Sequence, residues 1–386
     1  MTPTGKTSSS NVLSVLDIAK KAKTFISLLA RPEQLYKVIY GKHNTNSNDA
    51  HNLVGSTYWS IRQRIGYRWR IKMGDVPLDF SRPATFAEKC QWRKFYCPEV
   101  ERFAQLADKY QAQEFVAGHI GDTHVVPVKW VGDRLTPEVV HQLGDDMVYH
   151  LTHRSEATLI VETVETTDIE ALCRKANTML DWPYSMIGQE PWYGHIKPRI
   201  IARRRVRNCE GHLFPDDYKF HLFAQPDGSK KVICAIGKVA PKGRFLVDED
   251  FCPLPFEWNP TPYSQTMHQP SKPIQFDEML ADALLLSEGF DYVRIDFMKT
   301  EDEYYFTEFT FTSAGGHVKL IPSEYDEIVG DYWHLDTGNA LQRVWWHARA
   351  WAPLWRTEMP VRWLRRLKAK TDLWGQFSFP ETRYLQ

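Results

Sequence analysis

Residues 292–316 read YVRIDFMKTEDEYYFTEFTFTSAGG, and the fold is decided by how this stretch pairs with itself. Two aromatic-rich runs of strand length flank the polar break Glu301-Asp302-Glu303, which predicts a β-hairpin turning there. In that register Asp296 lies opposite Glu308, and Arg294 opposite Thr310. A period of two puts Arg294, Asp296, Tyr304, Phe306, Glu308, Thr310 and Thr312 on one face. Two carboxylates facing each other across a ladder repel. A site that keeps them needs a cation between them, or a shared proton. Hard oxygen donors favour Mg²⁺, commonly held by one or two carboxylates and completed by water and phosphate. Asp296 and Glu308 are therefore candidate metal ligands. Ser313-Ala314-Gly315-Gly316 would let a backbone approach a ligand. The competing readings are a solvated hairpin, or a simple Asp296–Arg294 ion pair.

Working outward, 386 residues suffice for a large core and one to three domains. Lys+Arg and Asp+Glu balance at 48 each, so global charge makes no case for a nucleic-acid partner. The six cysteines form no CxxC, which argues against zinc or a disulfide framework and for a reducing compartment. No apolar run reaches transmembrane length. The expected location is the cytoplasm, with peripheral contact on the inner membrane face.

Thr85 and Glu88 have capping-box spacing at the head of a helix continuing through Trp92, Phe95 and Tyr96. A single helix is expected over 100–116, with Lys109 inside it. Residues 147–161 read as two strands around the loop His153-Arg154-Ser155-Glu156. Residues 169–180 have helical periodicity, and 198–202 read as a strand running into Arg203-Arg204-Arg205. A hairpin follows, 218–224 with 231–236, carrying Lys219 and His221 on one face; then comes a helix over 276–287. Both ends have an amphipathic basic character. Residues 12–29 form one helical apolar stripe, and residues 343–370 interleave five tryptophans with eight basic residues. Such segments suit a membrane surface with anionic headgroups. They equally suit helices whose aromatics pack inward under Arg stems. Residues 43–51 read as a linker.

Several pieces in this order resemble one family, the TupA-like ATP-grasp proteins. They are RPATFAEKCQWRKFYCPEV, LADKYQAQEFV, HIKPRIIA, PDDYKFHLF, LPFEWNPTP, the opening hairpin with SAGG, and GDYW. The resemblance implies an α+β, ATP-grasp-like fold: two α+β subdomains enclosing a cleft for ATP, with added N- and C-terminal helical segments. It implies a reaction in which a carboxylate is activated as an acyl phosphate and attacked by an amine. The partner it implies is a cell-surface polysaccharide or glycolipid precursor. Asp296 and Glu308 fall on the Mg²⁺ positions. Lys219 falls on a strand position facing phosphate or substrate, Lys109 matches a lysine near the nucleotide, and Arg294 would clamp a carboxylate or phosphate.

This chain also departs from the pattern. His150 replaces a phosphate-binding lysine, the loop around Ser155 lacks its glycines, and Arg203 replaces an acid near the adenine. An arginine cannot accept that hydrogen bond. The expected divisions are 1–55, 56–135, 136–214 (subdomain A), 215–335 (subdomain B) and 336–386. Three functions remain open: an Mg²⁺-dependent ATP-grasp ligase or transferase; a glycosyltransferase-like enzyme with a sugar nucleotide on Arg154, Arg203, Arg204 and Arg205; and a catalytically degenerate, membrane-held binding module.

Overall fold

The computed structural model describes residues 50–155, 158–207, 215–238, 243–260 and 270–355. The helix expected over 12–29, most of the linker, Glu156, Cys209 and the tail beyond 355 lie outside them. Where the linker is described, at Ala50 and His51, the chain is already helical.

Helix α1 (Ala50–Met73) leads to α2 (Phe86–Tyr96). The capping box is complete: the Thr85 hydroxyl accepts from the Glu88 amide, and the Glu88 carboxylate accepts from the Thr85 amide. Left-handed Cys97 closes the helix. The single helix expected over 100–116 is two, α3 (Val100–Ala107) and α4 (Gln111–Ile120). The break has a cause in Asp108. Its fully buried carboxylate accepts from the Tyr110 amide at 2.8 Å and from Arg199 at 2.9 Å, competing with the helical ladder. Lys109 therefore sits in a joint rather than along a helix.

Strand β1 (Val128–Gly132), helix α5 (Pro137–Leu143), strands β2 (Met147–Leu151) and β3 (Thr158–Val161), helices α6 (Ile169–Leu180) and α7 (Tyr184–Gly188), and strand β4 (Ile200–Arg204) make the first layer. Its four-stranded antiparallel sheet has the order β1-β4-β2-β3. Helices α5 and α6 close a small core on it, with Leu151, Val161 and Ala176 fully buried.

Strands β5 (Asp216–Ala224), β6 (Lys230–Lys238) and β7 (Gly243–Val247), short β8 (Glu257–Trp258), helix α8 (Phe276–Leu286), and strands β9 (Tyr292–Lys299) and β10 (Tyr304–Thr310) follow. They form a five-stranded antiparallel sheet, β10-β9-β5-β6-β7. Strand β11 (Leu320–Ile321) pairs with β8, and helices α9 (Tyr325–Tyr332) and α10 (Ala340–Trp355) complete the described chain. One face of the five-stranded sheet enters the largest core, with Phe220, Ile295, Phe297 and Phe309, against α8 and the α2–α3 helices. The other face is polar in its middle.

The hairpin register holds at its functional end: Asp296 pairs with Glu308, and Arg294 with Thr310. Nearer the turn it differs from expectation. A bulge between Phe306 and Glu308 leaves Thr307 as the extra residue, so Phe306 opposes Phe297 and Tyr304 opposes Lys299. Tyr304 and Phe306 consequently turn into the core, 2% exposed each, and do not share the face of Glu308. Burying two aromatics is the gain that a regular ladder would forfeit.

Candidate functional site

The polar face of the larger sheet is built by three neighbouring strands. Strand β5 contributes Asp217, Lys219 and His221; each pairs with a β9 residue, Met298, Asp296 and Arg294 respectively. Strand β10 adds Glu308 beside Asp296. Lys219, Asp296 and Glu308 thus lie in one row across the sheet, with Arg294 one step along.

Arg294 organises the row. Its Nε and one terminal nitrogen donate to the two oxygens of Asp296, both at 2.7 Å, a bidentate fork. The same terminal nitrogen donates to Glu308 Oε1 at 3.1 Å, and the other reaches Ser313 Oγ at 3.3 Å. The ion pair read from the sequence as an alternative to a metal is therefore present. Burial works against the Arg294 charge, but Asp296 and Glu308 outweigh it and hold the guanidinium above its ordinary pKa. Burial raises the Asp296 pKa, with Arg294 and Lys219 pulling the other way. For Glu308, Lys109, Arg294 and Lys219 together outweigh burial, and its carboxyl sits below the usual range. Lys219 is pushed down to about 8, chiefly by burial and then by Arg294, against the pull of both acids. It also donates to Asp217. That carboxylate occupies space above Gly237, where any Cβ would collide with it.

Lys109 comes from the joint between α3 and α4, and its ammonium lies 3.6 Å from Glu308. Its backbone also bonds the other layer: its carbonyl accepts from Arg203 at 2.8 Å, and its amide donates to the Thr152 carbonyl at 3.4 Å. Arg203 is thus an internal strap that positions Lys109, with its pKa lowered to about 10 by burial. His150 lies nearby on β2. Burial, then Arg203 and Lys109, hold it well below its usual pKa, which favours the neutral ring. Ser155 hydrogen-bonds the Tyr184 hydroxyl, and that ring packs edge-on against Tyr193. Arg154 stacks over Tyr184, Arg204 donates to the Asp145 carbonyl, and Arg205 pairs with Asp146 and Glu162. The structure therefore gathers Lys109, Lys219, Arg294, Asp296 and Glu308, and gives Arg203 a supporting place. His150 bonds Thr158 and feels the charge of Lys109, and Ser155 bonds Tyr184.

Sequence reasoning missed two members of the surroundings. Lys94 on α2 is fully buried, and its ammonium donates to the Gly315 carbonyl at 2.9 Å. Glu190, also buried, accepts from the Thr312 hydroxyl at 2.6 Å. Burial holds Lys94 below its ordinary pKa and Glu190 above its own, each eased by the other's charge. Together they hold the Thr312–Gly316 segment at Thr312 and Gly315, and Ala314 and Gly315 are left-handed. The available signal was a cation pair, Arg93-Lys94, set between aromatics in a helix with no exposed side.

The carboxylates suit a divalent ion by donor type, since Asp296 and Glu308 supply hard oxygens from opposite residues. Among the described residues no group of three or more His, Cys, Asp or Glu gathers, so other ligands would be water and phosphate. Arg294 would have to release its fork, and Ser313 Oγ is already within reach as a second acceptor.

Two antiparallel α+β layers, bridged at Lys109, thus present facing carboxylates with cations on the larger sheet. Residues 88–334 match the family described as TupA-like ATPgrasp. The chain belongs to that family. No curated protein matches it closely. Among solved structures it is similar to a D-alanine-D-alanine ligase from Helicobacter pylori, at 10% identity and TM-score 0.36, covering 69% of each chain. A D-alanine-D-alanine ligase from Bacillus anthracis complexed with ATP is 9% identical at TM-score 0.29, covering 58% of this chain and 57% of that one. A phosphoribosylglycinamide synthetase from Anaerococcus prevotii is 10% identical at TM-score 0.29, covering 66% and 64%.

Proposed function

We propose that this protein is a ligase-type ATP-grasp enzyme that joins an amine to a carboxylate on a cell-surface polysaccharide or glycolipid precursor, with ATP and Mg²⁺. The observation that carries the reading is the convergence of Lys109, Lys219 and Arg294 on the Asp296–Glu308 pair. Three cations stand among three carboxylates, Asp217 included, so an incoming polyanion would be met by lysines and an arginine that already have acid partners.

Lys219 and Arg294 would hold phosphoryl oxygens, and the planar fork of Arg294 suits a phosphate or a carboxylate equally. Asp296 and Glu308 would hold the divalent ion, whose contribution when bound is to neutralise phosphate charge. The substrate carboxylate oxygen attacks the γ-phosphorus and ADP leaves. The amine nitrogen then attacks the acyl carbon, inorganic phosphate departs, and the nitrogen loses a proton. Charge develops on oxygen in both steps, beside fixed cations that need no reorganisation. A sugar nucleotide gains no support, because Arg203, Arg204 and Arg205 are committed to internal partners.

Titration calorimetry of the full chain with ATP and Mg²⁺ tests the reading. Binding is expected, and Lys219→Met should weaken it about tenfold or more, the scale of one charge-assisted contact. No heat at millimolar ATP would end the proposal. Release of ADP on mixing with a carboxylate-bearing sugar and an amine tests the substrate class.

A further inference from the structure

We infer that the paired helices α1 and α10 form a docking face for a bilayer surface rich in anionic headgroups. The inference is independent of the ligase reading, because it involves none of the cleft residues.

The chain is electrically neutral overall, so a local excess of one sign is informative. Neither α1 nor α10 contains an Asp or Glu, and α1 ends in exposed Arg70 and Lys72, ahead of exposed Asp75. The two helices pack against each other and on α2. Their inner faces are settled: Ile61, Ile65 and Trp69 of α1 are buried, as are His347 and Trp351 of α10. Trp351 donates to the Phe95 carbonyl, and Trp346 meets Trp92 edge-on. These tryptophans of the basic C-terminal stretch therefore pack inward.

The outer faces differ. Tyr67 and Ile71, one turn apart on α1, are 71% and 62% exposed, and Leu341 and Trp345, one turn apart on α10, are 45% and 64% exposed. Exposed Arg70 and Lys72 lie beside the first pair. Arg349, by contrast, is neutralised by Glu101. Among the described residues, five of the ten large exposed apolar side chains fall on these two helices or, for Val76, just after α1. Aromatics with a polar tip among basic side chains match the chemistry of the headgroup layer. The backs of two helices are convex, and a bilayer demands no shape complementarity where a protein partner would.

The test is co-sedimentation of the full chain with phosphatidylcholine vesicles, with and without phosphatidylglycerol. Binding is expected only to the anionic vesicles and should weaken as salt rises. Arg70→Gln with Lys72→Gln should lower partitioning by about fivefold per charge removed. Tyr67→Ser, Ile71→Ser and Trp345→Ser together should abolish it. Both variants should keep the parent's melting temperature, since the altered side chains are exposed. Binding to neither vesicle, or equally to both, overturns the inference. So does parent-like binding by both variants, which would assign the contact to another segment. A concentration-dependent dimer that the triple variant loses, without vesicle binding, would make the face a self-interface and equally overturn it.

Discussion

At the residue scale, one guanidinium does what the sequence suggested a metal would do. Arg294 sits between two facing acids, with Lys109 and Lys219 beside them, and it does so from the same strand as one of them. Sequence alone placed Asp296, Glu308 and Arg294 within one ladder step. It could not choose between an ion pair and an ion, because both demand the same residues in the same register. Buried histidines give this scale a pH signature. His347 donates from Nδ1 to the Phe95 carbonyl at 2.7 Å, locking α10 to α2, and burial pushes its pKa to about 3. Its folded pKa lies below the unfolded value, so the folded protein refuses a proton that the unfolded chain accepts. Stability contributed at neutral pH is therefore lost progressively as pH falls from about 6.5 towards 3. At pH 5 the loss is about 2 kcal/mol. Urea unfolding of His347→Gln at pH 7 and pH 5 should show a drop smaller than the parent's by about that amount. An identical drop in both would refute the assignment.

At the element scale, legibility followed locality. The Thr85 capping box, helix α6 and the strand pair β2–β3 were readable because their signals lie within a few residues. The α3–α4 break was missed because half of its cause, Arg199, lies 91 residues away. The bulge at Thr307 was missed because alternation from either end of the hairpin looks regular, and only the core on the far side selects the aromatics. Helix packing also leaves no room for error at one point. A Cβ on Gly330 would lie 2.2 Å from the Ala84 carbonyl oxygen, a backbone atom that cannot swing aside. Gly330→Ala should therefore separate α9 from the head of α2 and cost about 1–3 kcal/mol. The same substitution would disturb the Lys89 ammonium, which donates to the Gly330 carbonyl at 2.7 Å. Chemical denaturation measures the cost, and an unchanged midpoint would show that the two helices can part freely.

At the scale of the whole molecule, the two layers meet through few polar joints. Asp108 receives Arg199, Thr152 accepts from the Lys109 amide, and Arg203 donates to the Lys109 carbonyl. Asp108→Asn would leave Arg199 with a weaker, uncharged partner, so the layers should loosen before either unfolds. Amide hydrogen exchange should rise at residues 108–111 and on β2 and β4, and stay unchanged on β9. A uniform rise across all strands would show that the layers melt as one. Among the described residues no helix is long and apolar enough to cross a membrane. The joint at Lys109 has a mechanical corollary. Its flanking helices pack in the core of the larger sheet, where its ammonium also reaches Glu308, while its carbonyl and amide are held by Arg203 and Thr152 of the smaller layer. Parting the layers therefore breaks those two backbone contacts and leaves the lysine with the acids. A fluorophore pair spanning the two layers would report that separation with the Lys109–Glu308 contact intact.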